Sequence, residues 1–217
     1  MWAYRDIRVH WLGHDSFVLQ GSVTVVLDPF KAKGDYKADV LLITHEHYDH
    51  LSEEDIKRFS GNSTTIVAPR ICEQPLWAFK GQKILVGPGS TTQVKGVTVE
   101  TIPAYNIDKF RSPGKVFHPK EEGRVGYIVT LDGVRFYHAG DSDATPEMKS
   151  ISVDVAFLPV SGTYVMTPEE AAGAAKAMKT KVAVPMHYGG IVGSKADAER
   201  FKELVGKSCE VQILEKE

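Results

Sequence analysis

The segment that most constrains this fold is Thr-His-Glu-His-Tyr-Asp-His at residues 44–50. It follows directly on the apolar, β-prone run at residues 40–43, so it begins where a buried strand ends. Three of the chain's 8 histidines and two acidic residues stand within this short segment. Such a concentration at a strand end predicts a metal site rather than a polar surface turn.

The spacing of the side chains within this segment suits metal binding. His45 and His47 are two residues apart, so in an extended chain their side chains point the same way. A turn after residue 48 would bring Asp49 and His50 toward the same space. Zinc, manganese and iron all accept imidazole and carboxylate ligands, so the pattern alone leaves the metal's identity open.

Composition narrows the class of protein. The 217 residues, 42% of them hydrophobic, suffice for one domain with a sizeable core. A formal charge of −2 disfavours a nucleic-acid partner and leaves a small-molecule substrate as the expectation. No apolar run approaches the roughly 20 residues of a membrane span, and residues 1–6 lack the apolar stretch of a signal peptide, so we expect no membrane association and a cytoplasmic location. The sequence leaves open whether the protein forms a homo-oligomer.

The order of predicted elements indicates the fold class. Strands are expected at residues 7–11, 16–19, 23–27, 40–43, 64–68, 83–86, 91–94, 97–102, 125–131, 134–138, 154–159, 182–185 and 211–214. Helices are expected at residues 52–59, 70–79, 167–178 and 194–205. The first strands form an antiparallel meander, and later strands alternate with helices. This mixture predicts an α/β sandwich in a single domain over residues 1–217.

Residues 103–124 differ from the rest of the chain. They carry three prolines, two glycines and many polar residues, which predicts a long loop. Five cations cluster toward this loop: Lys109, Arg111, Lys115, Lys120 and Arg124. They would attract a phosphate or carboxylate group of a substrate, or they form a solvated loop; the sequence favours neither.

The segment His45-x-His47-x-Asp49-His50, after an apolar strand and before a capped helix, resembles the signature of the metallo-β-lactamase superfamily. Members of that family are mostly metal-dependent hydrolases with an αββα sandwich fold. The opening Gly-His-Asp-Ser-Phe at residues 13–17 resembles the branch that contains ascorbate-6-phosphate lactonases and small metal-dependent hydrolases. The resemblance extends from residue 12 to about residue 190.

The resemblance implies roles for further residues. Asp141, in Gly-Asp-Ser, would bridge two divalent metal ions, and His187 would bind the second ion with Asp49 and His50. Asp28 would support the ligands without binding metal, and the same role is expected for His138. The ions would be two zinc ions, with manganese or iron as alternatives.

One position departs from the family pattern. Where the family places a third histidine ligand for the first metal, this chain has Tyr105 and Asn106. His118, in the long loop, is the candidate replacement, although a lone loop histidine is often only solvated. His14 is either a structural residue near the site or a substrate contact.

These expectations describe a hydrolase that uses a metal-bound hydroxide on a small anionic ester, lactone or phosphoester. Asp49 would accept a proton, and His14, Tyr105 or Tyr164 would assist the leaving group. Two alternatives remain open: a phosphodiesterase or nuclease-like activity, and a metal-binding protein without catalysis. The altered third-histidine position motivates the second alternative.

Overall fold

The computed structural model describes residues 1–217 and contains two mixed sheets of seven strands. The first sheet consists of β1 Trp2–Tyr4, β2 Ile7–Gly13, β3 Ser16–Gln20, β4 Thr24–Leu27, β5 Val40–Leu42, β6 Thr65–Pro69 and β7 Gln82–Val86. Its strands lie in chain order, antiparallel from β1 to β4 and parallel from β4 to β7. The predicted antiparallel meander is confirmed.

The remaining strands form the second sheet and one small hairpin. They are β8 Thr91–Val94, β9 Val97–Pro103, β10 Phe110–Ser112, β11 Lys115–Val116, β12 Val125–Leu131, β13 Val134–His138, β14 Ser152–Pro159, β15 Lys179–Met186 and β16 Glu210–Val211. The sheet order is β16-β15-β14-β13-β12-β9-β8, and β10 pairs only with β11. Asp132 and Gly133 both adopt positive φ, as the tight β12–β13 hairpin requires.

Helices cover the outer face of each sheet. They are α1 Glu53–Phe59, α2 Glu73–Leu76, α3 Pro168–Ala177 and α4 Lys195–Val205. Ser52 caps α1, and Thr167 with Glu170 forms a capping box at the start of α3. No helix has the length and apolarity needed to cross a lipid bilayer.

Successive side chains along each strand point to opposite faces of the sheet, so one face packs against the other sheet and the other face packs against helices. In β5, Val40 and Leu42 belong to the large apolar cluster between the sheets, and Leu41 belongs to the cluster beneath α1 and α2. The rings of Phe17 and Phe157 stack at 4.1 Å and join the two sheets. The architecture is therefore the predicted αββα sandwich in one domain.

The structure differs from the sequence-based prediction at four places. The helix expected at residues 70–79 is a 3-10 turn followed by the short α2, so Pro75 falls in a first turn where its missing N–H is not needed. The expected loop at residues 103–124 contains the β10–β11 hairpin. The last strand, expected at residues 211–214, covers only Glu210–Val211. The strand β1 was not predicted, because its three residues are too few to show a periodic pattern.

Candidate metal centre

Five strand ends and turns bring the candidate site residues to one edge of the sandwich. His14 and Asp15 lie in the turn after β2, Asp28 follows β4, residues 44–50 follow β5, Asp141 follows β13 and His187 follows β15. The backbone N–H of His187 donates to the carbonyl of His14, and the backbone N–H of Val125 donates to the carbonyl of Thr44. These bonds join the two sheets directly at the site.

The first group of candidate ligands contains His45, His47, His118 and Asp141. One nitrogen or oxygen from each lies within 4.8 Å of the others. Nε2 of His118 lies 3.4 Å from Oδ2 of Asp141, and Nε2 of His45 lies 3.9 Å from the same oxygen. The loop histidine His118 therefore lies within ligand spacing of His45, His47 and Asp141.

A second group lies on the other side of Asp141. It contains Asp15, His50, Asp141 and His187, with one ligand atom of each again within 4.8 Å of the others, and His14 forms a further group of the same spacing with His50 and His187. Oδ1 of Asp141 lies 3.3 Å from Nε2 of His50 and 3.2 Å from Nε2 of His187. The two oxygens of one carboxylate thus face two different sets of histidines, as a bridging ligand would.

The donor atoms of this cluster fit metal ions better than they fit one another. Nε2 of His50, Nε2 of His187 and Oδ1 of Asp141 are buried and have no hydrogen-bond partner. Buried polar atoms are nearly always satisfied, so orphaned atoms that converge on one point indicate an absent ligand. Imidazole and carboxylate together suit a divalent transition metal.

Asp28 orients the cluster from beneath. Its buried carboxylate accepts hydrogen bonds from the backbone N–H of Thr44 at 2.8 Å and from the Thr44 hydroxyl at 2.5 Å. It also lies 2.8 Å from Nδ1 of His50. This contact leaves Nε2 of His50 facing Asp141, which is the usual way a carboxylate holds a metal-binding imidazole.

Asn106 holds His118 in place. Its Oδ1 accepts from the backbone N–H of His118 at 2.9 Å and lies 2.8 Å from Nδ1 of the ring. Its amide nitrogen donates to Asp143, which also accepts from two backbone N–H groups of the long loop. Asn106, at the altered family position, therefore positions His118.

Several site residues adopt backbone conformations that are costly for non-glycine residues. His14, Asp28 and His187 have φ values of 51°, 39° and 60°. Strain of this kind persists only where the surroundings enforce it, and it concentrates at functional sites. Gly140, at φ 61°, has no such cost, and a Cβ there would lie 3.1 Å from Cβ of Thr44.

Burial and mutual charge shift the pKa values of the cluster in opposite directions. Burial lowers the pKa of His14 and of His118 to about 4 each. Burial opposes the charged form of His50, but Asp141 and Asp28 raise the pKa of this imidazole well above its ordinary value. Burial likewise opposes ionisation of Asp141, yet His187 and His50 hold its pKa well below the usual range. A metal must displace these protons, so metal binding would release them.

Three other predicted residues lie near or beyond the cluster. Asp49 is in none of the three ligand-spaced groups; its Oδ2 lies 3.3 Å from Nε2 of His14 at the rim. His138 uses both ring nitrogens, one toward the Asp15 carbonyl and one accepting from the Gly140 N–H, which suits support rather than metal binding. Tyr105 turns away, and its hydroxyl donates to Glu147 at 3.0 Å.

A cavity of about 250 Å³ opens onto the cluster. Its walls are formed by His47, Tyr48, Asp49, Phe117, His118, Asp141, Tyr164 and Ile191. The rings of Phe117 and Tyr164 meet edge to face at 4.8 Å. The cavity therefore combines candidate ligands with an aromatic wall, and its volume suits a small ligand.

The cations of the long loop do not line this cavity. Lys109 pairs with Asp108 and Glu170, Lys120 with Glu147, and Arg124 with Glu46 and Glu122. Arg111 and Lys115 line a different cavity. The structure therefore does not place the loop cations in the walls of this cavity.

Sequence reasoning missed the position of Asp15. The neighbouring His14 was named from the sequence as a candidate site residue, but an acidic residue in a turn between strands does not by itself indicate metal binding. The structure places Asp15 in the second ligand group, fully buried. The role of Asn106 was also missed, because a contact across the long loop has no local sequence signature.

Comparison with known proteins agrees with this geometry. A family profile described as a beta-lactamase superfamily domain matches residues 8–187. A UPF0173 metal-dependent hydrolase of Thermococcus onnurineus is 34% identical, with 96% of each chain covered. A similar protein of Thermococcus kodakarensis, also a UPF0173 metal-dependent hydrolase, is 35% identical over the same share of both chains.

Solved structures support the same conclusion. A chain from Parabacteroides distasonis, assigned as a metal-dependent hydrolase, superimposes with a TM-score of 0.84 at 33% identity, covering 97% of this chain and 94% of the other. Igni18, a metallo hydrolase of Ignicoccus hospitalis, superimposes with a TM-score of 0.78 at 24% identity, covering 96% and 95%. At 24% identity, the similarity to Igni18 supports only the shared fold.

Proposed function

The chain belongs to the beta-lactamase superfamily and, within it, to the UPF0173 metal-dependent hydrolases, and from that premise we propose that it hydrolyses a small anionic ester, lactone or phosphoester. Two divalent ions would be held by the histidine–aspartate cluster, with zinc first and manganese or iron as alternatives. Resemblance to the ascorbate-6-phosphate lactonase branch is the reason for including lactones.

The observation that supports the proposal is the carboxylate of Asp141 between two groups of imidazole nitrogens, of which Nε2 of His50 and Nε2 of His187 have no hydrogen-bond partner. His45, His47 and His118 would hold one ion, and His50 and His187 the other. Bound there, the ions would lower the pKa of a water toward neutrality and polarise the oxygen of the scissile group. No serine or cysteine nucleophile is then required.

The residues at the rim would move protons. Asp49 lines the cavity with its carboxylate 3.3 Å from Nε2 of His14, so it is placed to accept a proton and share it with that ring. Tyr164 lines the same cavity and is the better candidate than Tyr105 to assist the leaving group. Its ring would also exclude water from the reacting atoms with Phe117.

The cavity limits the substrate. About 250 Å³ with an aromatic wall accommodates a small molecule. Since the loop cations are paired with acids or lie elsewhere, an anionic group of the substrate would be recognised by the ions themselves. Its remaining part would contact Tyr48, Phe117 and Tyr164.

A substrate-class screen tests the proposal. Metal-free protein is reconstituted with Zn²⁺, Mn²⁺ or Fe²⁺ and assayed against panels of lactones, carboxylic esters, phosphomonoesters and phosphodiesters. Hydrolysis of a small ester, lactone or phosphoester that stops on chelation supports the proposal. Preferential cleavage of oligonucleotides would favour the nuclease alternative, and metal binding without any hydrolysis would favour a non-catalytic metal protein.

A further inference from the structure

Asp15 is the most unusual carboxylate in the chain. It lies in the turn between β2 and β3, its side chain is fully buried, and neither of its oxygens has a hydrogen-bond partner. Oδ2 of Asp15 lies 3.8 Å from Nδ1 of His50, which is too far for a hydrogen bond. That nitrogen is already engaged by Asp28.

Apart from Asp141 in the same cluster, the other buried carboxylates of the chain are well satisfied. Asp28 accepts from Thr44 twice and faces His50. Asp143 accepts from a side-chain amide and two backbone N–H groups, and Asp55 from two backbone N–H groups and a hydroxyl. A buried carboxylate without any hydrogen-bond partner is costly unless a proton or a bound cation neutralises it, and a cation would also engage both unpartnered oxygens.

The turn that carries Asp15 is held firmly against the site. Nε2 of His138 donates to the Asp15 carbonyl at 2.8 Å, and the indole N–H of Trp11 donates to the His14 carbonyl at 2.9 Å. The backbone N–H of His187 donates to that same carbonyl. The carboxylate is therefore placed by bonds to its backbone, and its side chain is left free to bind.

We propose that Asp15 is a ligand of the second metal ion, together with His50, His187 and the shared Asp141. This inference rests on the proposed function, because it concerns the same metal centre. The ligand atoms of these four residues lie within 4.8 Å of one another, which is the spacing of a coordination sphere. The second position then has two imidazoles and two carboxylates, while the first has three imidazoles and one shared carboxylate.

The two positions consequently differ in metal preference. Imidazole-rich sites suit zinc, whereas added carboxylates suit a harder cation such as Mn²⁺. Asp15 therefore makes the second position the more favourable of the two for Mn²⁺. Removal of this carboxylate weakens Mn²⁺ binding more than Zn²⁺ binding, which a general loss of structure would not do.

Metal titration tests the assignment without reference to activity. Metal-free wild type and Asp15→Asn are titrated with Mn²⁺ and with Zn²⁺ in competition with a chromogenic chelator, and bound metal per chain is measured after desalting. The control is Asp154→Asn, a buried carboxylate far from the site that accepts from the Arg135 N–H and binds Lys181. Circular dichroism checks the fold, and Asp15→Ser, which is smaller and uncharged, is titrated in parallel.

The expected result is two ions per wild-type chain and a loss of Mn²⁺ affinity at one position by more than about 100-fold in a folded Asp15 variant. That threshold exceeds the loss from residues that only orient a ligand, about 10- to 100-fold. A smaller loss, or an equal loss for both metals, overturns the assignment while leaving the proposed function intact. Failure of the wild type to bind any metal overturns both.

Discussion

Nε2 of His118 lies 3.4 Å from Oδ2 of Asp141, so a histidine from the long loop completes a group otherwise built from strand ends. If His118 binds the first ion, His118→Ala lowers metal occupancy from about two ions per chain to about one. Metal analysis after desalting measures this. The control is His10→Ala, another buried histidine, which contacts Gln20 and Glu217 away from the cluster. Unchanged occupancy in His118→Ala would remove it from the ligand set.

Asp28 acts on metal binding through His50. Asp28→Asn removes the negative charge 2.8 Å from Nδ1 of this ring, and we expect metal affinity to fall about 10- to 100-fold. Chelator competition measures the change. Asp39→Asn is the matched control, since this half-buried carboxylate likewise accepts from a backbone N–H, that of Thr24. Equal affinities in both variants would contradict an orienting role for Asp28.

Two buried tyrosines of the second sheet offer a test of the structure itself. The hydroxyl of Tyr127 donates to the Ile43 carbonyl at 2.7 Å, close to the start of the metal-binding segment, whereas the hydroxyl of Tyr137 has no partner. Tyr127→Phe should lower the free energy of unfolding by about 1–2 kcal/mol. Tyr137→Phe should change it by less than about 0.5 kcal/mol or raise it. Urea unfolding compares the two; equal losses would disagree with these contacts.

The stability of the metal-free protein should depend on pH through His118. Burial lowers the pKa of His118 to about 4, against about 6.5 in an unfolded chain. The unfolded chain therefore takes up this proton first, and the contribution of the neutral ring is complete above about pH 6.5 and is lost as the pH falls toward 4.

His118→Ala removes this titration. The difference in unfolding free energy between wild type and His118→Ala should therefore shrink by up to about 3 kcal/mol between about pH 7 and about pH 4. Urea unfolding in the presence of chelator measures it at each pH. A difference that stays constant with pH would show that the ring titrates alike in both states.

Phe117 should affect substrate binding more than chemistry. Its ring forms part of the cavity wall against Tyr164, so Phe117→Ala should raise KM roughly tenfold, about 1.4 kcal/mol, with kcat nearly unchanged. Steady-state kinetics on the substrate found by the screen measures this. Phe110→Ala is the control from the same loop, because that ring is 54% exposed and lies outside the cavity. An equal effect of both variants would place the substrate elsewhere.

Local patterns predicted most of the fold because each element is specified by nearby residues. The Asp132-Gly133 hairpin, the caps at Ser52 and Thr167, and the apolar run before residue 44 all act over a few positions. Where the prediction differed, as at the shortened helix around Pro75, two local rules competed and the backbone geometry of proline prevailed.

By itself the sequence determined the order of the ligand elements and, through the segment at residues 44–50, the presence of a metal centre. Only the tertiary structure decided which side chains lie together: His118 and Asp15 fall within ligand spacing of the cluster, Asp49 lies at the rim, and Tyr105 turns toward Glu147. The physical reason is that a ligand sphere a few ångströms wide is assembled from the ends of two sheets. Contacts between those ends depend on packing across the whole core, which no short stretch of sequence encodes.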